Sequence, residues 1–330
     1  MSPTTVAFQT LCLLGILVGC SNQHSNGDNP MEDNDTTKQV IPIVDTFPSG
    51  SWRPPDTASI PDDESGKLIR YGRELVANSS YYFGPHGKVS QVANVLNCQN
   101  CHLNAGTKLY ANSYSAVYSI YPKFRPRSGT VEDIEKRIND CMERSLNGEK
   151  LDPTSKEMHA MTAYINWEGK DVEKGTSPKG ASVVDVPLLY RPADPARGEY
   201  VFKKTCVECH GENGQGKLNP DSITYQYPPL WGPKSYTTAA GMYRLSRLSG
   251  YVKSNMPYQK SSYVQPKLTD EEAWDVAAFI NSQPRPDKKF KKDWPDISKK
   301  PMDFPFGPYA DTFPEYQHKY GPFQEIVKGK

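Results

Sequence analysis

The chain has 330 residues, 36% of them hydrophobic, and its charge is nearly balanced at 39 Lys plus Arg against 38 Asp plus Glu, a net +1. That balance excludes a nucleic-acid binder resting on a basic footprint. A mean hydropathy of -0.69 with a single apolar run excludes a polytopic membrane protein. With 29 prolines and 24 glycines, much of the chain is expected to be loop, and something other than side chains is expected to fill the centre.

The apolar run, Val6 to Val18, is too short to span a bilayer comfortably and ends Leu17-Val18-Gly19-Cys20. Residues 1–19 therefore read as a signal peptide. The ending resembles a bacterial lipobox, which makes Cys20 the lipidated start of the mature chain. No Lys or Arg precedes the run, and the alternatives are a plain secretion signal or a buried N-terminal helix. Residues 20–50, polar and rich in Asn and Asp, suit a flexible tether. This places the protein on the periplasmic side of a membrane, held by a lipid anchor.

Beyond the tether the same order of elements runs twice. Tyr71-Gly72-Arg73-Glu74-Leu75-Val76 precedes Cys98-Gln99-Asn100-Cys101-His102, and Met158 to Asn166 closes the first pass. Ala196 to Phe202 precedes Cys206-Val207-Glu208-Cys209-His210, and the second pass closes from Thr269, a capping-box start with Glu272, to Asn281. The endings Ala163-Tyr164-Ile165-Asn166 and Ala278-Phe279-Ile280-Asn281 match. C-x-x-C-H is the attachment motif of c-type haem, in which both thiols bond the porphyrin and the His is the proximal iron ligand. A zinc site would want its paired ligands close in sequence, whereas these motifs begin at 98 and 206. The expected fold class is mainly α, as two tandem cytochrome c domains at 51–172 and 195–286. A linker spans 173–194, and residues 287–330 form an extended C-terminal wrap with no chemistry of its own. Two covalently bound haems follow, on Cys98, Cys101 and His102, and on Cys206, Cys209 and His210.

Each iron needs a distal partner or an open site. Met256, in Asn255-Met256-Pro257 before the second closing helix, is the candidate for the second haem, with Met242 the rival. Near the first haem no Met-Pro follows. The segment after Thr130 reads as a helix capped by Thr130 and stopped at Gly148, with Glu132 and Asp133 at its positive end. On it Arg137, Cys141, Arg144 and Ser145 share one face, and Met142 points about 100° away. Cys141 is the one mature-chain cysteine without an assigned role, which flags either ligating or reactive chemistry or a small buried hydrophobe. Two flanking guanidinium groups favour a thiolate, and a thiolate can ligate iron. Met142, Met158, His159 and Met161 stay open as alternatives.

Five segments carry a family resemblance: Cys98 to Leu103, Phe124-Arg125-Pro126-Arg127-Ser128-Gly129, Arg137 to Gly148, Glu157 to Met161 and Asn255 to Pro257. From about Trp52 to Phe323 the chain resembles the dihaem thiosulfate dehydrogenases, which also run as tetrathionate reductases. The resemblance implies that Cys141 is the distal ligand of the first haem and the catalytic sulfur. It implies that two thiosulfates and tetrathionate interconvert with release or uptake of two electrons. Arg137 and Ser145 match substrate-pocket positions, Arg127 another. Electrons pass through Met256 and the second haem to a partner c-type cytochrome. Some members carry Lys before that Met; here the position is Asn255. The rivals are a dihaem electron carrier, which would not need the arginine face around Cys141, a dihaem peroxidase, which would want an open iron, and a cytochrome of another sulfur pathway acting on a protein-bound substrate.

Overall fold

A computed structural model describes residues 50–329. The signal segment 1–19, Cys20 and the tether up to residue 49 lie outside the described residues. The helices are α1 (Glu64–Ala77), α2 (Ser79–Phe83), α3 (Val117–Ile120), α4 (Ile134–Arg144), α5 (Lys156–Glu168), α6 (Pro195–Thr205), α7 (Val207–His210), α8 (Leu245–Asn255), α9 (Asp270–Ser282), α10 (Glu315–Tyr320) and α11 (Gln324–Lys328). Two antiparallel ribbons complete the secondary structure: β1 (Lys123–Arg125) with β2 (Thr130–Glu132), and β3 (Lys217–Leu218) with β4 (Tyr225–Tyr227). Among the described residues no helix is long and apolar enough to cross a membrane.

Two crossed helix pairs organise the molecule. α1 starts at Asp63, whose carboxylate accepts from the Gly66 amide, and buries Ile69, Gly72, Leu75 and Val76 along one stripe. α5 starts at Ser155, whose hydroxyl accepts from the Met158 amide. The pair crosses at Gly72, where an added Cβ would stand 1.9 Å from the Ala160 carbonyl oxygen and 2.8 Å from Tyr164 Cβ. The second pair repeats this. α6 is capped by Asp194 with Pro195 in its first turn, α9 by the Thr269–Glu272 capping box. They cross at Gly198, where a Cβ would stand 1.9 Å from the Asp275 oxygen and 2.8 Å from Phe279 Cβ. Only glycine permits backbones this close, so both glycines set the crossing geometry. The first core gathers Leu75, Phe83, Met158, Met161 and Tyr164, and the second Phe202, Trp274, Val276 and Ala277.

The 130–148 segment differs from the sequence expectation at both ends. Thr130 is not a helix cap; it lies in β2 opposite Arg125, and Asp133 caps α4 by accepting from the Lys136 amide at 2.7 Å. The reason is local: Gly129 turns the chain at φ +68, and Val131 pairs with Phe124 in the ribbon. α4 ends at Arg144, with Ser145 at its C-cap rather than Gly148. Residues 287–330 are not wholly extended, since they include α10 and α11. Fully buried Asp303 binds Arg244 and accepts from the Ser246 amide and hydroxyl, at 2.9 and 2.6 Å.

Candidate active site

Both attachment motifs wind the same way. The His102 amide donates to the Cys98 carbonyl and the His210 amide to the Cys206 carbonyl, each at 3.0 Å. Each imidazole is then oriented from behind. His102 Nδ1 pairs with the Asn112 carbonyl at 2.6 Å, and His210 Nδ1 with the Pro228 carbonyl at 3.1 Å. A ring that donates from Nδ1 leaves Nε2 as the electron-pair donor, which is the tautomer an iron ligand needs. The two carbonyls come from loops with no sequence signal. Among the described residues no two cysteines are joined in a disulfide.

The second motif opens into a cleft of ≈ 1330 Å³, counted out to its mouth. Cys206, Cys209 and His210 line it, and Met256 does too, together with apolar Leu230, Leu248 and Ile280. Met242, the rival, is absent from that lining and is buried with its sulfur 4.0 Å from Asn112 Nδ2. The donor set and the apolar walls fit a covalently held porphyrin. Asn97, Gln99 and Asn100 of the first motif form part of the same cleft, and Tyr251 from α8 donates to the Asn100 carbonyl at 2.6 Å. The two centres are therefore neighbours.

At the first motif, α4 brings Cys141 to face His102. Arg137, one turn earlier, donates from Nη1 to Cys141 Sγ at 3.2 Å. Burial alone raises this thiol, but Arg137 and then His102 outweigh it, and the thiol is lowered to about 7. The attachment thiols go the other way: burial pushes Cys98 up to about 11 and Cys101 to about 12. Cys141 is thus the thiol poised as an anion. Its charge in turn raises Arg137, which stays cationic. Ser145 donates its amide to the Cys141 carbonyl at 2.8 Å and sits on the same face. Of the alternatives, Met142, Met158 and Met161 are buried in the core and His159 is exposed.

Arg127 and Arg144 reach the site differently. Arg127 lies in the β1–β2 turn, half-buried, with its guanidinium 5.6 Å from the Trp294 ring. Burial first, then the cations of Arg144 and Arg137, lower it to about 10, so it is charged at neutral pH. Among the described residues its guanidinium has no hydrogen-bond partner or ion pair. Arg144 departs from the expectation of a guanidinium beside the sulfur. It makes a two-pronged ion pair with Asp293, Nη1 to Oδ2 at 2.6 Å and Nη2 to Oδ1 at 2.7 Å. The Phe290 ring stacks on it at 3.8 Å. Phe290, Asp293 and Trp294 belong to the C-terminal extension, which therefore packs against two arginines of the candidate site. Its contacts are too distant in sequence to leave a periodic signal.

Two C-x-x-C-H motifs, each with its histidine Nδ1 held by a backbone carbonyl, on two crossed-helix units define a dihaem c-type cytochrome. Residues 89–173 match the SoxA/TsdA cytochrome c domain family and residues 195–284 the cytochrome c family. The chain is 39% identical over 243 residues to the thiosulfate dehydrogenase of Psychrobacter arcticus, covering 73% of this chain and 71% of that one. It is 32% identical over 286 residues to that of Thiomonas intermedia, covering 86% and 85%. A solved structure, thiosulfate dehydrogenase (TsdBA) from Marichromatium purpuratum in its "as isolated" form, superposes with a TM-score of 0.65 at 29% identity. It matches 71% of this chain, which spans about half (49%) of that longer one. The chain belongs to the dihaem thiosulfate dehydrogenase family.

Proposed function

We propose that this protein interconverts thiosulfate and tetrathionate, with Cys141 as both distal ligand of the first haem and sulfur nucleophile. The observation that carries this reading is the Arg137–Cys141 contact beside His102, which favours the anionic form of this thiol against its burial. A pure electron carrier has no use for it. The Cys141 thiolate and the terminal sulfur of one thiosulfate form an S–S bond, giving Cys–S–S–SO3⁻ and releasing two electrons. Haems held by Cys98, Cys101 and His102 and by Cys206, Cys209 and His210 would supply two one-electron acceptors for that pair. The terminal sulfur of a second thiosulfate then attacks the sulfane sulfur, tetrathionate leaves, and the Cys141 thiolate is regenerated. Bringing dianions together requires fixed positive charge. Arg137 supplies it at the sulfur and Arg127 at the far side, with the Ser145 hydroxyl as a further donor.

Met256, which lines the same cleft as His210, would supply the further donor to the second haem, and a thioether there would raise its potential above that of a thiolate-ligated centre. Electrons leave from there to a partner c-type cytochrome. The lipobox at Cys20 and the extracytoplasmic chemistry of haem attachment support a periplasmic protein anchored by lipid. The test is turnover of purified holoprotein with thiosulfate and ferricyanide, and with tetrathionate and a reduced dye. Turnover is expected in at least one direction and its loss in Cys141→Gly with both haems retained; no turnover, or full activity in that variant, overturns the reading.

A further inference from the structure

Three features of the C-terminal extension converge on α4 and the segments on either side of it. Lys288 donates from Nζ to the Gly148 carbonyl at 3.1 Å, Asp293 grips Arg144 through both oxygens, and the Trp294 amide donates to the Arg127 carbonyl at 2.6 Å. On α4 Arg144 falls on the stripe of Arg137 and Cys141. Asp140, one turn back on α4, also lies 3.8 Å from Arg144 Nε, so Asp293 is the closer and two-pronged of its two carboxylate partners. We propose that Asp293 is a positioning residue that holds Arg144 out of the anion pocket, so that two arginines rather than three meet the sulfur dianions and tetrathionate can leave. This rests on the reading of Arg127 and Arg137 as the substrate's cationic partners.

The arrangement supports that role on three counts. The pair is planar and bidentate, which fixes direction as well as charge. The Phe290 ring packs on the guanidinium at 3.8 Å, a second contact that favours the same placement. Arg127 has Arg144 and Arg137 as cationic neighbours and Asp293 as the carboxylate that relieves them. A pocket that must bind two dianions in succession and release a third gains from strong charge on entry and loses from it on exit.

The experiment compares Asp293→Asn, Arg144→Met and the double variant as holoproteins at low ionic strength. One charge within about a Debye length, partly screened, changes dianion binding by about fivefold. Asp293→Asn should lower the KM for thiosulfate about fivefold and reduce kcat, Arg144→Met should raise KM about fivefold, and the shifts should cancel in the double variant. Calorimetric binding of tetrathionate to the oxidised protein, where no electrons are available for reduction, should show the same signs. Added salt should shrink both shifts. A brace without an electrostatic role would move KM and tetrathionate affinity in one direction for both single variants, or in neither, and that result overturns the proposal. If Asp293→Asn does not accumulate, Arg144→Lys against Arg144→Met asks the same question: tetrathionate affinity should be near wild type in the first and weaker in the second, and equal loss in both overturns the proposal. If wild-type protein lacks thiosulfate turnover, the functional reading fails by itself, while the calorimetric signs still report on Asp293.

Discussion

Arg137 is the side chain whose removal should cost most per atom at the first centre. It lies 3.2 Å from Cys141 Sγ and is the largest influence lowering that thiol to about 7 against burial. Replacing it by Met keeps the apolar stem and removes the cation. The thiol should return towards the ordinary value of about 9 or above, and two pH units correspond to about 2.7 kcal/mol. The general worth of a hydrogen bond to a buried charged group, about 1.5–3 kcal/mol, agrees. The first figure predicts a loss of about 100-fold in kcat/KM at neutral pH and the second a loss of about 10- to 150-fold. The sign follows from the reacting form: the thiolate is active, so kcat/KM rises with pH as the thiol ionises. In the wild type that limb should lie near pH 7, and in Arg137→Met it should move up by one to two pH units. Arg137→Lys keeps the charge but not the planar donor and should fall between. The assay is ferricyanide reduction by thiosulfate from pH 5 to 9 with haem content fixed. An Arg137→Met protein within threefold of wild type at pH 7, with its limb unmoved, would refute the electrostatic argument.

Gly72→Ala and Gly198→Ala should each destabilise their unit by about 1–3 kcal/mol or more, because the new methyl overlaps a carbonyl of the crossing helix. Thermal unfolding of each holoprotein checks this, and an unchanged Tm would show that the crossing can widen freely. Asp303→Asn breaks a buried ion pair with Arg244 and should cost about 3–5 kcal/mol at neutral pH. Burial raises the Asp303 carboxyl, but Arg244 and Ser246 outweigh it and hold it below its usual value. A carboxylate depressed in the fold stabilises above its unfolded value near 4 and loses that contribution as pH falls through the folded value. The gap in Tm between wild type and Asp303→Asn should therefore be widest at neutral pH and narrow below about pH 4; a gap that widened in acid would contradict the assignment. Met256→Ala should lower the potential of the second haem while leaving the first unchanged, as read by spectroelectrochemistry.

Local patterns were the most legible part of the sequence. The two C-x-x-C-H motifs, the Thr269 capping box and the matched endings at Tyr164 and Phe279 are each set by residues within a few turns of one another. The Arg137–Cys141 pair was legible for the same reason, being one turn apart on one helix. Thr130 misled because a Ser/Thr/Asp choice of cap is decided by which side chain faces the first free amides, and Asp133 is the one that does. Arg144 misled because helix periodicity gives the face but not the partner, and Asp293 comes from the far end of the chain. Gly72 and Gly198 stand inside the helices that the sequence places, yet a glycine on a helix has no evident purpose until the second helix is laid across it. The carbonyls of Asn112 and Pro228, which orient both histidines, are backbone atoms in loops and leave no trace in residue type.

The central claim is that the anionic sulfur of Cys141 completes the first iron opposite His102. Electron paramagnetic resonance of the oxidised holoprotein addresses it most directly. Two low-spin species are expected, one with the compact g-spread of thiolate ligation and one typical of His/Met, and Cys141→Gly should erase the first while preserving the second. A wild-type spectrum with no thiolate signal, or one unaltered by Cys141→Gly, would contradict it.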